Sequence, residues 1–150
     1  MAGKAFAVLV INGQKYPTYA SHSGGKTVRK TREVPAANMP NTMFVEPTGG
    51  KEFEPLEVTF TERADEGLLL EEVYTGLLEW HSNSVEGKTE RRSISIVWYR
   101  DAEFTQEMGR HELQQCWPRD ISAIEGERES EDPRSFTVTF DHRGSEYKAV

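Results

Sequence analysis

The residues best suited to chemistry sit in one short stretch. "HELQQCWPRDIS", His111 to Ser122, holds a histidine, the single cysteine of the chain and a Trp-Pro pair. A cysteine nucleophile needs a base in reach and a positive environment that lowers its pKa. His111 and Cys116 stand five positions apart, roughly 16 Å on an extended segment at the usual strand rise. The two cannot meet locally. The spacing predicts that Cys116 is a small, partly buried strand residue and that Trp117 is a core anchor. Metal chemistry fails on similar ground. His22, His81, His111 and His142 are scattered without ligand spacing, and one cysteine excludes a thiolate zinc site. "SGGKT" lacks the earlier glycine and the following helix of a phosphate loop. No nucleophile, base and orienting group can be named together, so the sequence predicts no enzyme, no cofactor and no metal.

Two charged stretches remain. "KTVRKTR", Lys26 to Arg32, has four basic residues in seven, and "EGERESED", Glu125 to Asp132, has five acids in eight. The plain reading of each is a solvated surface segment. The sharper reading pairs them between neighbouring copies, with Lys26, Arg29 and Arg32 of one subunit facing Glu127, Glu129 and Asp132 of another.

The bulk composition limits what such a chain can be. Its 150 residues suit one domain, 1–150, long enough to bury a core. Hydrophobic residues at 36% against 29% charged imply a large polar surface, or apolar surface shared between subunits. A net charge of −7 argues against a general nucleic-acid binder and suits a surface that does not hold polyanions. No apolar run is long enough for a membrane span or anchor. Asn12-Gly13 interrupts the short N-terminal apolar stretch, which carries no cleavage signal.

The elements that would position these residues are mostly strands. Phe6 to Ile11, Asn12-Gly13 and then Tyr16 to Tyr19 read as a hairpin, because both turn positions favour positive φ. Gly24-Gly25 permits a sharp change of direction before the basic strand Lys26 to Val34. Pro35 to Pro55 carries four prolines and a glycine pair and reads as a long extended loop. In "LEVTFTER", Leu56, Val58 and Phe60 alternate with polar residues, a half-buried strand. Asp65 to Trp80 is the one helix. Its apolar face is Leu69, Leu70, Val73, Tyr74, Leu77 and Trp80, and Asp65 is the N-cap. Further strands place Ile94, Ile96 and Trp98 on one face, then Leu113, Gln115 and Trp117, then Phe136, Val138 and Phe140. The final residues read as a loose tail. One helix among about seven strands predicts a mainly β fold, a small β-sandwich or split barrel with the helix packed on it.

The order of these parts resembles the tail tube family: tube proteins of contractile-tailed phages and injection particles, and the haemolysin-coregulated protein of type VI secretion. "FAVLVING" with "YASHSGGK" is similar to its opening strands. "NMPNTMFVEPTGGKEFEPLEVTFTERADEG" is similar to its long loop and following strand. "LLLEEVYTGLLEW" resembles its single helix. "SISIVWYRD", "ELQQCWPRDIS" and "RSFTVTFDH" resemble its later strands. The resemblance implies six-membered rings in which strands of neighbours join into an inner β-barrel, with rings stacked into a hollow tube. It further implies a surrounding contractile sheath, baseplate or tail-end partners, and DNA or effector cargo passing through the lumen without specific binding. The location implied is a virion tail or injection-particle tube assembled in the host cytoplasm. Alternatives are a tube-capping or baseplate adaptor protein of the same fold, or a small-ligand-binding β-barrel.

Overall fold

A computed structural model describes residues 6–16, 18–37, 41–62, 70–126 and 133–150. The chain opens with β1 (Phe6–Ile11) and β2 (Gln14–Tyr16), joined by Asn12 and Gly13 at φ 51° and 89°. That is the turn these two residues favour, because its twist matches the flanking strands. The return strand starts at Gln14, earlier than the predicted Tyr16, because a two-residue turn pairs Ile11 directly with Gln14.

Then come β3 (Tyr19–Gly24), β4 (Thr27–Pro35), β5 (Met43–Phe53), β6 (Leu56–Thr61) and α1 (Leu70–Asn83). The chain ends with β7 (Arg92–Tyr99), β8 (Glu107–Ile121), β9 (Ser135–Asp141) and β10 (Ser145–Ala149). Among the described residues ten strands replace the predicted seven or so. The Pro35 to Pro55 segment is no loop: β5 occupies most of it and pairs antiparallel with β4. The C-terminal residues are no loose tail either, since β10 pairs with β8 from Ser145↔Leu113 to Ala149↔Gly109.

Eight strands form one hydrogen-bonded sheet, seven of them in the order β2-β1-β7-β8-β9-β6-β3 and β10 off that path on β8. The long strand β8 makes this possible. Its first half pairs with β7 and β10, and its second half, from Trp117 onward, pairs with β9. Register shifts on β8 bend it from one layer of the sandwich into the other, the usual work of β-bulges.

One of these bulges corrects the predicted faces. Gln115 has φ 53°, and Arg92↔Cys116 is followed by Ile94↔Leu113, so β8 carries an extra residue there. The bulge reverses the alternation. Leu113 and Cys116 both face the core and are fully buried, while Gln115 is exposed and Trp117 is half-buried against the core's rim.

Alternation elsewhere holds. Leu9, Ile11, Ile94 and Ile96 from one layer meet Leu56, Val58, Phe60, Phe136, Val138 and Phe140 from the other. Phe60 stacks on its cross-strand partner Phe136 with ring centroids 5.1 Å apart, inside the core. The helix lays Leu70, Val73, Leu77 and Trp80 on this core, each 2% exposed or less. It continues to Asn83, three residues past the predicted end, and the predicted Asp65 N-cap and Leu69 lie outside the described residues. Trp80 donates its indole N–H to the Glu90 carbonyl (2.7 Å), and the Arg92 guanidinium sits 4.4 Å over its ring.

Candidate assembly surface

The residues of the opening motif end up apart in role. Cys116 is sealed in the core, and burial pushes its thiol up to about 12. A thiol that stays protonated is neither a nucleophile nor a metal ligand. His111 is held low by burial and then by the charge of His142. Among the described residues, no three His, Cys, Asp or Glu side chains gather as a metal site. No helix among them is long and apolar enough to cross a membrane.

The unusual feature is the arm made by β4 and β5. It is a two-stranded ribbon outside the eight-stranded sheet, about 30 Å long at the strand rise. Nearly all of it is exposed. Cross-strand partners share a face, so Val34 and Phe44 lie on one side of the tip, and Pro35 with Met43, and Val45, on the other. Phe44 is 54% exposed and Val45 67%. An isolated two-stranded ribbon is marginal in water, and apolar residues on both faces add to that cost.

The arm's root, by contrast, is built in. Gly24 and Gly25 have φ 77° and 85°, and a Cβ on Gly24 would lie 2.4 Å from the Pro55 carbonyl oxygen. Gly25 donates its N–H to that same carbonyl (3.2 Å), and Glu54 donates to the Lys26 carbonyl (2.9 Å). His142, 4% exposed, bridges the root to the body. Its Nε2–H donates to the Glu54 carbonyl (2.7 Å), and its Nδ1 accepts from the Gly144 N–H (3.2 Å). The ring of Phe53 packs edge-on against it.

The charged residues singled out from sequence fall as follows. Lys26 lies just before β4, and Arg29 and Arg32 lie within it. Lys26 sits 3.7 Å from Glu54 and Arg32 3.6 Å from Glu46, so both already have acidic neighbours across the arm in their own chain. Arg29 lies opposite Lys51. Glu127, Glu129 and Asp132 lie outside the described residues. Two positions after Asp132 in sequence, Arg134 donates to Glu62 and to Glu71, joining the start of β9, the end of β6 and the helix start. These bonds hold both carboxyls below their ordinary range and raise Arg134.

Sequence reasoning missed Met43, Phe44 and Val45. Their signal was present as three consecutive apolar residues inside a Pro- and Gly-rich segment, which a reading for loops passes over.

No family model matches the chain, and no curated protein matches it in sequence. In three dimensions it is similar to a chain of the sheath–tube complex of the PVC extracellular contractile injection system in its extended state. That match has TM-score 0.75 and 15% identity, covering 96% of this chain and 88% of that one. It is also similar to the tube-terminating cap of the anti-feeding prophage, with TM-score 0.74, 12% identity and coverage of 96% and 88%. Hcp1 from Flavobacterium johnsoniae matches with TM-score 0.59, 14% identity and coverage of 96% and 95%. These matches define a class by shape: the chain has the Hcp-like tail-tube fold.

Proposed function

We propose that this chain is the structural subunit of the hollow inner tube of a contractile tail or injection particle, assembled as stacked six-membered rings. The observation that carries this reading is the arm. Its tip exposes apolar residues on both faces, and its root is fixed to the body. Such a projection is completed by another subunit. The tail-tube fold supports the same role. In the ring, strands of neighbours join into an inner β-barrel, which leaves no free sheet edge. A contractile sheath surrounds the tube, and baseplate or tail-end proteins close it. DNA or effector cargo passes through the lumen, where an excess of acid discourages phosphate from sticking. The role is structural rather than catalytic, in keeping with the protonated Cys116 thiol.

A tube-terminating cap is the second reading, favoured by the likeness to the anti-feeding prophage cap. Negative-stain microscopy of the purified protein separates the two. Tubes of six-fold symmetry that lengthen with concentration are the expected result. Single rings that never lengthen support the cap, and a monomer at every concentration defeats both.

A further inference from the structure

Where β9 turns into β10, a shallow basin of about 610 Å³ opens, lined by Phe53, Arg91, Trp117, Asp141, His142 and Arg143. In a chain of net charge −7 it brings together arginines and aromatic rings. One residue gathers the arginines. Gln115 accepts from Arg91 Nη1 on its backbone carbonyl (3.0 Å) and from Arg143 Nη1 on its side-chain oxygen (3.4 Å). It can do both because the β8 bulge turns it outward, at φ 53°. Backbone strain of this kind persists only where the surroundings hold it, and it clusters at ligand sites. The turn that carries Arg143 is fixed as well. Arg143 donates its N–H to the Gln114 carbonyl, and Gln114 donates to the Gly144 carbonyl, both at 2.9 Å.

The nearby carboxylates are engaged elsewhere. Asp141 accepts from Arg119 (3.1 Å), and Glu90, next to Arg91 in sequence, accepts from Arg92. Among the described residues the ion pairs include neither Arg91 nor Arg143. A guanidinium carries five N–H donors, so the contact each makes with Gln115 leaves most of them open. Phe53 is exposed and Trp117 half-buried, so both offer apolar surface to the same basin.

We infer that this basin binds an acidic peptide segment of a partner protein, its carboxylate held by Arg91 and Arg143 and a neighbouring apolar side chain resting on Phe53 and Trp117. The planar fork of a guanidinium matches a carboxylate through paired hydrogen bonds, and arginine clusters recur wherever acidic motifs are read. A nucleic acid fits less well. Its unbroken line of phosphates meets a chain of net charge −7, whereas a short acidic segment keeps its charge over the basin. Occupancy has a mechanical consequence. Phe53 belongs to the arm, and Arg91, Trp117 and Arg143 to the body, so a bound segment clamps the arm's root beside His142. The site is complete within one subunit and does not depend on the tube reading.

The test uses the full chain, kept below the concentration at which it assembles. A short fluorescein-labelled peptide of Asp and Glu around one Phe is titrated with it, and binding is read by fluorescence anisotropy. A peptide with Lys in place of each acid and a single-stranded DNA oligomer are the comparison probes. The acidic peptide should saturate, the Lys peptide should not bind, and the DNA should bind about tenfold more weakly or worse. Arg143→Gln, at an exposed position, should weaken the acidic peptide by about tenfold, as loss of a charge-assisted contact implies. Arg91→Gln should do the same, and Arg29→Gln on the arm should change nothing. If Arg91→Gln lowers the urea midpoint, Arg143→Gln alone decides. Bound peptide should also slow amide exchange at Glu54, whose N–H donates to the Lys26 carbonyl at the arm's root. Attraction to loose positive charge would not produce that change. DNA binding as tight as peptide binding would make the basin a general anion site and overturn the peptide assignment. No saturable binding, or binding indifferent to both basin arginines, would overturn the inference. Either result leaves the tube reading standing, since tube formation is measured separately.

Discussion

Gly24→Ala tests the arm's root most directly. At φ 77° an alanine is strained, and its Cβ would stand 2.4 Å from the backbone oxygen of Pro55. The left-handed conformation costs about 1–2 kcal/mol for a residue with a side chain. The backbone oxygen cannot swing aside as a flexible side chain would. Relief requires moving Pro55, which strains the bond it accepts from the Gly25 N–H, worth about 0.5–1.5 kcal/mol. Together the cost is about 2–3 kcal/mol. Gly13→Ala is the control: φ is 89°, but nothing lies within 4 Å of the added Cβ, so strain acts alone. With a urea dependence of about 2 kcal/mol per molar, Gly24→Ala should lower the unfolding midpoint by about 1–1.5 M. Gly13→Ala should lower it by about 0.5–1 M. Measured on dissociated subunits by circular dichroism, the pair separates clash from strain. Tube length gives a second reading, because Gly24→Ala tilts the arm and should shorten tubes, while Gly13→Ala should not. Equal midpoints and equal tube lengths would refute the reasoning.

Other consequences are equally open to measurement. Leu77→Ala removes a fully packed helix side chain and should cost about 2–5 kcal/mol, nearer the lower end. Leu77 borders a surface groove of about 400 Å³ that lets water into the gap; an unchanged urea midpoint would contradict the packing described. Cys116→Ala should leave assembly intact, and the native thiol should resist a thiol reagent until the chain unfolds; fast labelling of intact tubes would contradict its burial. Stability should decline on mild acidification. Tyr19, pushed up to about 12 by burial, keeps its proton and donates to His22 Nδ1; burial and then His111 hold His22 below 6.5. The unfolded chain takes up protons as pH falls through about 6.5 and the folded chain only lower, so stability is full above that value and drops beneath it. A His22→Phe variant should flatten the profile, and an identical slope would clear His22 of the effect. Stacking should weaken with salt, since the Debye length falls from about 10 Å at 0.1 M to about 3 Å at 1 M. Reversing Arg29 and Arg32 together should shorten tubes, and reversing Glu127 and Glu129 as well should restore part of the length. Lengths constant across salt and variants would end that charge-pairing idea.

Much of this protein could be read along the chain, where the deciding physics is local. Asn12-Gly13 set a turn because few residue pairs accept positive φ twice in succession. Leu56, Val58 and Phe60, and later Phe136, Val138 and Phe140, alternate because a sheet with one buried face demands it. Val73, Leu77 and Trp80 recur at helical spacing for the same reason on a different period. The mainly β class with one helix followed from these patterns.

Tertiary structure decided the rest, because the deciding partners are distant in sequence or a bulge breaks the count. The arm strand β5 is exposed on both faces, so it lacks alternation, and its prolines and glycines imitate a loop. Only pairing with β4 makes it a strand. The tail became β10 because the edge of β8, more than thirty positions away, was open to it. The bulge at Gln115 shifted the register by one residue, turning Cys116 inward and leaving Gln115 outside. No periodicity could foresee that extra residue, since it exists to carry β8 from one layer to the other. The aromatic cluster at Phe104 is of the same kind. Phe6 lies more than ninety positions from Tyr99 and Phe104, and only the pairing of β1 with β7 brings the three rings together.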